Sequence, residues 1–290
     1  MNSYNFKNFV LNLIASVVIL SPSLVQAQKN SALTQALKST EGLIAFWDFK
    51  EPTGQDRVSN INGNIFKLQE QNKPIKRVNG GPLSGYAIAL DGEGFLSIPY
   101  DQTGALNVSN NQVTVIAWVK RQHNSAGFIA GMWNEYENGG QRQYGLFTSL
   151  PYYNGADQVC GHISKTGRPT PPFPHSIDYS ASAQTIPDNE WVTVAFTYDG
   201  TYIKSYLDGV FEGRAPELIL HTKGFEGYPD GLVQTKNPYY FPDGIGDNGS
   251  DFTVGSVFVS GKMGNFFKGE IGGLAVFDRA LNNEEMLKLK

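Results

Sequence analysis

The hydrophobic pattern is clearest over residues 191–211, where apolar and polar positions alternate in two short runs. In the first run, residues 191–198, every second side chain from Val192 onward is large and apolar. This period of two predicts a β-strand that turns one face toward a core. Asp199-Gly200 and Asp208-Gly209 follow the two runs, and Asp-Gly suits the positive φ angles of tight hairpin turns. We therefore predict a β-hairpin around which the other strands are arranged.

Further short apolar runs, separated by turn-rich segments, predict additional strands. They cover residues 42–49, 86–90, 94–98, 112–120, 127–133, 144–149, 158–164, 251–259 and 269–277. Two long segments, 165–189 and 214–250, lack this periodicity, and such lengths are typical of functional loops. Residues 282–290 predict a short helix, with Asn282 or Asn283 as its cap and two glutamates in its first turn. The pattern predicts an all-β chain with a short C-terminal helix.

The first 27 residues have the pattern of a secretory signal peptide. Lys7 is positively charged, residues 9–20 are mostly apolar, and Val25-Gln26-Ala27 fits the small-residue pattern before a cleavage point. The apolar run of about 12 residues is shorter than the roughly 20 that a spanning helix needs. An uncleaved membrane anchor is the alternative. We predict a signal peptide over 1–27, a flexible leader over 28–41 and one domain over 42–290.

That assignment makes the mature protein secreted or periplasmic, with no membrane span after cleavage. Charged residues are 17% of the chain and the formal net charge is −4, so no basic surface argues for nucleic acid. Cys160 is the single cysteine, which excludes an intramolecular disulfide, and its apolar surroundings in sequence predict a buried, unreactive thiol. Stability must therefore come from the packing of sheets.

Four segments in a fixed order carry a family resemblance. They are residues 42–49, residues 89–98 with 113–119, residues 191–209 and residues 267–286. Together they resemble bacterial LamG-like jelly-roll domains of the concanavalin A-like lectin/glucanase superfamily. The resemblance implies a two-sheet antiparallel jelly-roll sandwich with long loops, its layers about 10 Å apart. Lectins, hydrolases and interaction modules share this fold, so it does not decide function.

Aromatic side chains are frequent in the irregular segments and predict a carbohydrate-binding surface. Sugars present apolar C–H faces on which rings stack, while polar side chains bond the hydroxyl groups. The predicted ligand-binding residues are Trp133, Tyr136, Arg142, Tyr152, Tyr153, His162 and His175. The alternative for each ring is that it packs a long loop against the sandwich.

Carboxylates at predicted strand ends form a candidate calcium site. Calcium takes six to eight oxygen ligands, and many members of the resembled family carry the ion at a sheet rim. We predict Asp48 together with Asp91 and Glu93 as its ligands. A turn-forming or solvent-facing role is the alternative for each carboxylate, because Asp favours turns. No EF-hand spacing is present.

Catalysis is the second class of function that the sequence raises. In retaining glucanases of the superfamily a Glu-x-Asp-x-x-Glu strand supplies two carboxylates, but here Gly272 and Ala275 replace the last two acidic positions. A lyase would need a base beside a group that neutralises a uronate carboxylate, for which Arg142, Tyr144 and His162 are candidates.

The leading prediction is an exported, non-catalytic LamG-like domain that binds a polysaccharide, a glycoconjugate or another extracellular ligand through its aromatic loops. The alternatives are a polysaccharide lyase or glycoside hydrolase on the same fold, and a structural or adhesive module that binds a protein partner.

Overall fold

The computed structural model describes residues 22–108, 110–123, 127–136, 139–151, 155–171, 173–219, 228 and 231–290, without the side chains of residues 22–27, 217 and 219. Most of the predicted signal peptide, residues 1–21, lies outside this description. Within the described residues, two large antiparallel sheets pack face to face. The predicted all-β sandwich is confirmed.

The first sheet, sheet I, has nine strands among the described residues, in the order β15-β14-β13-β7-β22-β5-β4, with β1 beside β22 and β18 beside β14. Its strands are β1 (Leu43–Trp47), β4 (Lys76–Asn79), β5 (Tyr86–Asp91), β7 (Val113–Arg121), β13 (Trp191–Tyr198), β14 (Tyr202–Leu207), β15 (Val210–Phe211), β18 (Tyr239–Tyr240) and β22 (Lys268–Phe277).

The second sheet, sheet II, has eight strands among the residues that the structure describes, in the order β12-β11-β10-β8-β19-β6-β3-β2. Its strands are β2 (Arg57–Ile61), β3 (Asn64–Gln71), β6 (Phe95–Ile98), β8 (Phe128–Met132), β10 (Tyr144–Phe147), β11 (Gln158–Ile163), β12 (Tyr179–Thr185) and β19 (Phe252–Val254).

Smaller elements complete the described chain. A two-stranded sheet joins β16 (Arg214–Ile219) to β17 (Leu232–Asn237), and a three-stranded sheet joins β9 (Asn134–Glu135), β20 (Val257–Val259) and β21 (Lys262–Gly264). The α-helices are α1 (Pro22–Ser39) and α2 (Asn283–Lys288), and two 3₁₀ turns cover Tyr100–Gln102 and Gly104–Leu106. No described helix combines the length and the apolar character that crossing a membrane would require.

The predicted hairpin is confirmed and lies at one side of sheet I. Strands β13 and β14 pair with Val194 opposite Leu207, so the alternating apolar side chains of β13 enter the core between the sheets. Asp208 and Gly209 both have positive φ, +49° and +70°, which is the backbone that a type I′ turn requires. This turn connects β14 to β15, whereas in the β13–β14 connection, residues 199–201, positive φ occurs at Gly200 alone, at +92°.

Sheet I is covered on both faces, which explains why its central strand lacks a polar side. In β7, Val115 and Val119 face sheet II, whereas Ile116 and Trp118 belong to a second cluster on the outer face. Residues of α1 and α2 complete that outer cluster. Sheet II has its own outer cluster, formed mainly by aromatic side chains of β8, β10, β11 and β12 and of the loops that cover them.

The N-terminal segment differs from the expectation of a flexible leader over 28–41, because residues 28–39 are helical. Leu33, Ala36 and Leu37 share one face of the helix at helical spacing, and Leu37 is fully buried against sheet I. Apart from Ala32, the other side chains of residues 28–39 are polar, so only this short stripe signals helix in that part of the sequence. The helix spans the predicted cleavage point after Ala27, and cleavage itself stays a prediction.

The two long segments contain strands that the sequence did not reveal. Strand β12 lies within residues 165–189, and β16, β17 and β18 lie within residues 214–250. The predicted C-terminal helix is confirmed in a shorter form, Asn283–Lys288. The Asn282 side chain accepts hydrogen bonds from the backbone N–H groups of Glu284 and Glu285.

Candidate functional site

The candidate site lies on the outer face of sheet II, where three neighbouring strands place rings side by side. In the strand register, His162 of β11 is opposite Gly145 of β10 on one side and Tyr179 of β12 on the other. Because side chains alternate along a strand, Phe147, His162 and Tyr179 face outward, while their neighbours enter the core between the sheets.

A pocket of about 380 Å³ opens above these rings. The loops after β8 and β10, the segment before β12 and the β20–β21 hairpin form its walls. Its lining residues are Glu135, Tyr136, Arg142, Phe147, Ser149, Leu150, Pro151, His162, His175, Ser176, Tyr179, Val259 and Asn265. The pocket therefore combines an aromatic floor with a rim of polar and charged groups, the composition expected of a ligand site.

Tyr136 forms an exposed ring at the rim of the pocket. Its side chain is 48% exposed, and its φ of +68° lies in the left-handed region, which is uncommon for a bulky residue. The guanidinium carbon of Arg142 lies 5.0 Å from its ring centre. A strained backbone that presents a ring to solvent is typical of a binding position rather than of a packing position.

Arg142 carries a charge into the wall of the pocket. Its side chain is only 2% exposed, and within the described residues its guanidinium makes a single hydrogen bond, from Nη1 to the carbonyl oxygen of Gly167 at 3.1 Å. No carboxylate of the described residues lies within salt-bridge distance of the Arg142 guanidinium. The remaining donors of the guanidinium are not among the buried polar atoms without a partner, so they are open to the pocket, where an anionic or oxygen-rich ligand can accept hydrogen bonds from them.

His162 forms the floor between Trp133 and Tyr179. The centre of its ring lies 4.4 Å from that of Trp133 and 5.5 Å from that of Tyr179. Burial, together with the positive charges of Arg142 and Lys236, holds the pKa of His162 well below its usual value. The imidazole is therefore neutral, and its Nε2 has no hydrogen-bond partner among the described residues. A hydroxyl group that reaches the floor would satisfy that nitrogen.

The structure brings together four of the predicted ligand-binding residues, since Tyr136, Arg142, His162 and His175 all line this pocket. Trp133 is 1% exposed and packs behind His162, and its indole Nε1 donates to Glu135 at 3.0 Å. Its place is therefore structural with respect to this pocket. Tyr152 and Tyr153 lie outside the described residues, although Pro151 beside them lines the pocket.

Several lining residues lie outside the predicted ligand-binding set, and Tyr179 is the most informative of them. It lies on β12, a strand that the sequence pattern did not reveal. Its alternation with the small residues Ser180 and Ser182 is the signal that could have placed it on the outer face. Asn265 and Val259 come from the β20–β21 region, about a hundred residues further along the chain, and no local pattern connects them to the site.

The carboxylates predicted to bind calcium each pair with a lysine side chain in this structure. The Lys73 ammonium lies 2.5 Å from Asp91 and 2.6 Å from Glu93, and hydrogen bonding to it lowers the pKa of Asp91. Asp48 instead pairs with Lys50 at 3.3 Å. Across the described ranges, no group of three or more His, Cys, Asp or Glu side chains could hold a metal ion. Calcium stays a prediction, which calorimetric titration of chelator-treated protein with Ca²⁺ tests.

The three candidate lyase residues do not share one face of the sheet. Tyr144 points into the core, where it is fully buried and its hydroxyl donates to the Leu106 carbonyl at 2.7 Å, while His162 points outward. Glu270, the acidic residue at the start of the glucanase-like segment, pairs with Lys120 at 2.7 Å.

The comparisons with known proteins agree with this architecture. Residues 92–226 match the Laminin_G_3 family model, described as the concanavalin A-like lectin/glucanases superfamily. No curated protein is similar to this chain in sequence. Among solved structures, domain 4 of AbnA, a GH43 extracellular arabinanase from Geobacillus stearothermophilus in complex with arabinotriose, is 18% identical with a TM-score of 0.55. The match covers 85% of this chain and 97% of that domain.

Two further structures are longer than this chain. The binding domain of botulinum neurotoxin DC in complex with SialylT is 10% identical with a TM-score of 0.51, and the match covers 86% of this chain and 51% of that one. Trypanosoma rangeli sialidase in complex with sialic acid is 14% identical with a TM-score of 0.49, and the match covers 92% of this chain and 37% of that one. At these identities the likeness concerns the fold. The chain is a two-sheet β-sandwich, and its residues 92–226 are similar to the concanavalin A-like lectin/glucanases superfamily.

Proposed function

We propose that this protein is an exported, non-catalytic carbohydrate-binding domain whose ligand occupies the pocket of Tyr136, Arg142 and His162. One observation carries the proposal: the nearly buried Arg142 guanidinium has unused donors at the wall of a pocket whose rim is the exposed Tyr136 ring. An acidic sugar requires an aromatic ring on which its apolar face can stack and, beside that ring, hydrogen-bond donors for its carboxylate.

Each part of the pocket matches one part of such a ligand. The Tyr136 ring takes the apolar C–H face of a sugar, and the planar guanidinium of Arg142 matches a carboxylate through two parallel hydrogen bonds. The neutral imidazole of His162 and the hydroxyl groups of Ser149 and Ser176 can bond sugar hydroxyls deeper in the pocket. The absence of a carboxylate partner for Arg142 within the described residues favours an acidic sugar over a neutral one.

Two of the structurally similar proteins support a carbohydrate ligand, since one is bound to arabinotriose and another to SialylT. The paired carboxylates of a retaining glucanase are absent from the strand that resembles its catalytic strand, which favours binding over hydrolysis. The separation of Tyr144 and His162 onto opposite faces argues against that pair as lyase machinery.

The experiment is a binding screen of purified protein against immobilised acidic and neutral oligosaccharides, followed by calorimetric titration of the best ligand. We expect binding to acidic glycans, and about tenfold weaker binding in Tyr136→Ala. Failure of all glycans to bind, together with tight binding of a protein partner, would contradict the proposal. Release of an unsaturated uronate or of a reducing sugar during incubation would instead identify an enzyme.

Export is the second part of the proposal and has its own test. The signal-like pattern of residues 1–27 supports it. Mass spectrometry of protein recovered from outside the cytoplasm should find a mature N-terminus at Gln28. A chain that still begins at Met1 and stays in the cytoplasm would contradict it.

A further inference from the structure

A second pocket opens on the outer face of sheet II, beside the pocket described above. Its volume is about 480 Å³. Its floor is formed by Ser97 of β6 and Thr253 of β19, which lie directly opposite each other in the sheet. Phe95, Trp133 and Phe258 supply aromatic walls. The proposed function uses none of these side chains.

The two pockets lie on opposite sides of the small sheet formed by β9, β20 and β21. Phe258 pairs with Asn134, and the next pair along the same two strands is Val259 with Glu135. Phe258 and Asn134 line the second pocket, whereas Val259 and Glu135 line the pocket of Arg142. Neighbouring residues of a strand point to opposite faces, and their Cα atoms are about 3.8 Å apart. The wall between the pockets is therefore one strand thick.

The chemistry of the second pocket differs from that of the first. No Lys, Arg or His is among its described lining residues, and the only carboxylate there, Asp251, already accepts a hydrogen bond from the Tyr100 backbone N–H at 2.8 Å. Two buried oxygens, Thr253 Oγ1 and Asn134 Oδ1, have no hydrogen-bond partner in the described part of the chain.

Those two oxygens define what the pocket can hold. The Thr253 side chain is more than nine-tenths buried, and an unpartnered buried hydroxyl carries a desolvation cost that a ligand hydroxyl can remove. Aromatic walls suit the apolar face of a sugar ring, and the absence of a cationic side chain gives a carboxylate no partner. The lining thus fits an uncharged sugar.

We infer that the second pocket is a subsite for a neutral sugar, so that one oligosaccharide places an acidic residue at Arg142 and a neutral residue across the β9–β20 wall. This inference rests on the proposed function, because it takes the acidic residue of the ligand to be bound in the first pocket.

Calorimetric titration compares each acidic sugar alone with an oligosaccharide that joins it to neutral sugars. The probes are N-acetylneuraminic acid against 3′-sialyllactose, and glucuronic acid against an aldotriouronic acid in which it is linked to two xyloses. We expect at least one oligosaccharide to bind at least tenfold more tightly than its free acidic sugar. Thr253→Val and Phe258→Ala should each reduce that gain to less than threefold. Ile65→Ala removes an exposed apolar side chain elsewhere on sheet II and should keep the gain.

A measurement on the wild-type protein tests the inference even if the variants fail to fold. Saturation-transfer NMR should show contact between the protein and the neutral rings of the oligosaccharide as well as its acidic ring. Equal affinity for free acid and oligosaccharide, or a gain that both variants retain, overturns the inference and leaves the first pocket standing. No binding of any of the four probes, with none in the wider glycan screen, overturns the proposed function and this inference with it.

Discussion

The guanidinium carbon of Arg142 lies 5.0 Å from the centre of the Tyr136 ring and 6.0 Å from that of Trp133. The charge is thus held between an exposed ring and a buried ring. Cation–π contacts of this kind contribute about 0.5–2 kcal/mol, enough to help orient the Tyr136 ring. The pocket's exposed ring and its charge are therefore parts of one arrangement.

Replacing Tyr136 by alanine should weaken glycan binding about tenfold, because a lost stacking contact is worth about 1.4 kcal/mol. The free energy of unfolding should change by less than about 0.5 kcal/mol, since the side chain is largely exposed. Calorimetric titration and urea denaturation measure the two quantities. Tyr240→Ala, which removes another exposed ring on sheet I, should retain full affinity.

Arg142→Lys keeps the positive charge but removes the planar fork of donors. Because hydrogen bonds to charged groups are worth about 1.5–3 kcal/mol, we expect affinity for an acidic glycan to fall roughly tenfold to a hundredfold. Affinity for a neutral glycan should change much less. Arg168→Lys, at an exposed arginine of the adjacent loop, is the matched control. Equal losses for acidic and neutral glycans would show that the guanidinium does not contact a carboxylate.

Asp178 should make stability fall as the pH rises through weakly acidic values. Burial raises its pKa to about 6, although Thr170 and Tyr239 donate hydrogen bonds to its carboxylate. Between about pH 4 and pH 6 the folded state keeps a proton that the unfolded state has lost, so folding is favoured below this window and loses about 3 kcal/mol across it.

Urea denaturation of Asp178→Asn across that window tests this linkage. The variant should gain stability relative to wild type as the pH increases from 4 to 7, because its amide has no charge to bury. Asp56→Asn, at an exposed carboxylate, should show no such relative gain. Parallel profiles for wild type and Asp178→Asn would contradict the assignment.

Cys160 should be unreactive in the folded protein. It is fully buried, and burial raises the pKa of its thiol to about 12, so almost no thiolate forms at neutral pH. A thiol-specific reagent such as DTNB should detect no thiol in native protein and one per chain in urea. If the native protein reacted with DTNB as fast as the urea-unfolded protein does, the loops around Cys160 would have to open.

Gly161→Ala should strain the core between the sheets. A Cβ at this position would clash with the Cβ of Phe196 on the facing strand β13, so the close approach of the two sheets here requires a residue without a side chain. Overpacking of this kind typically costs about 1–3 kcal/mol, measurable as a lower midpoint of urea denaturation. Gly213→Ala meets only one atom at an ordinary contact distance, and its midpoint should stay near that of wild type.

The sequence predicts those elements whose side chains alternate strongly. Strands β7 and β13 have large apolar residues at regular positions, and the Asp208-Gly209 turn marks the end of β14, the neighbour of β13. Strand β12 was missed because its inward positions are occupied by small residues such as Ser180, where it approaches Ser205 of β14. Small polar residues give no hydrophobic signal, although they allow close packing.

For the site, the types of binding residue could be predicted from the sequence, but which of them lie together and which are buried could not. Tyr136, Arg142, His162 and His175 were chosen because aromatic and hydrogen-bonding side chains bind sugars, and all four line the pocket. The burial of Trp133 depends on the strand register, since a shift by one residue would turn the opposite face outward. A single sequence does not fix that register across strands that are far apart in the chain.

The placement of the two helices has a practical consequence. Helices α1 and α2 lie against the outer face of sheet I, whereas both pockets open on the outer face of sheet II. A bead, a cell wall or a fused domain attached through either helix would sit at the back of the molecule, leaving its ligand-facing side pointed toward the medium. Surface-immobilised protein, tethered in this way, should capture long polymers as readily as short fragments.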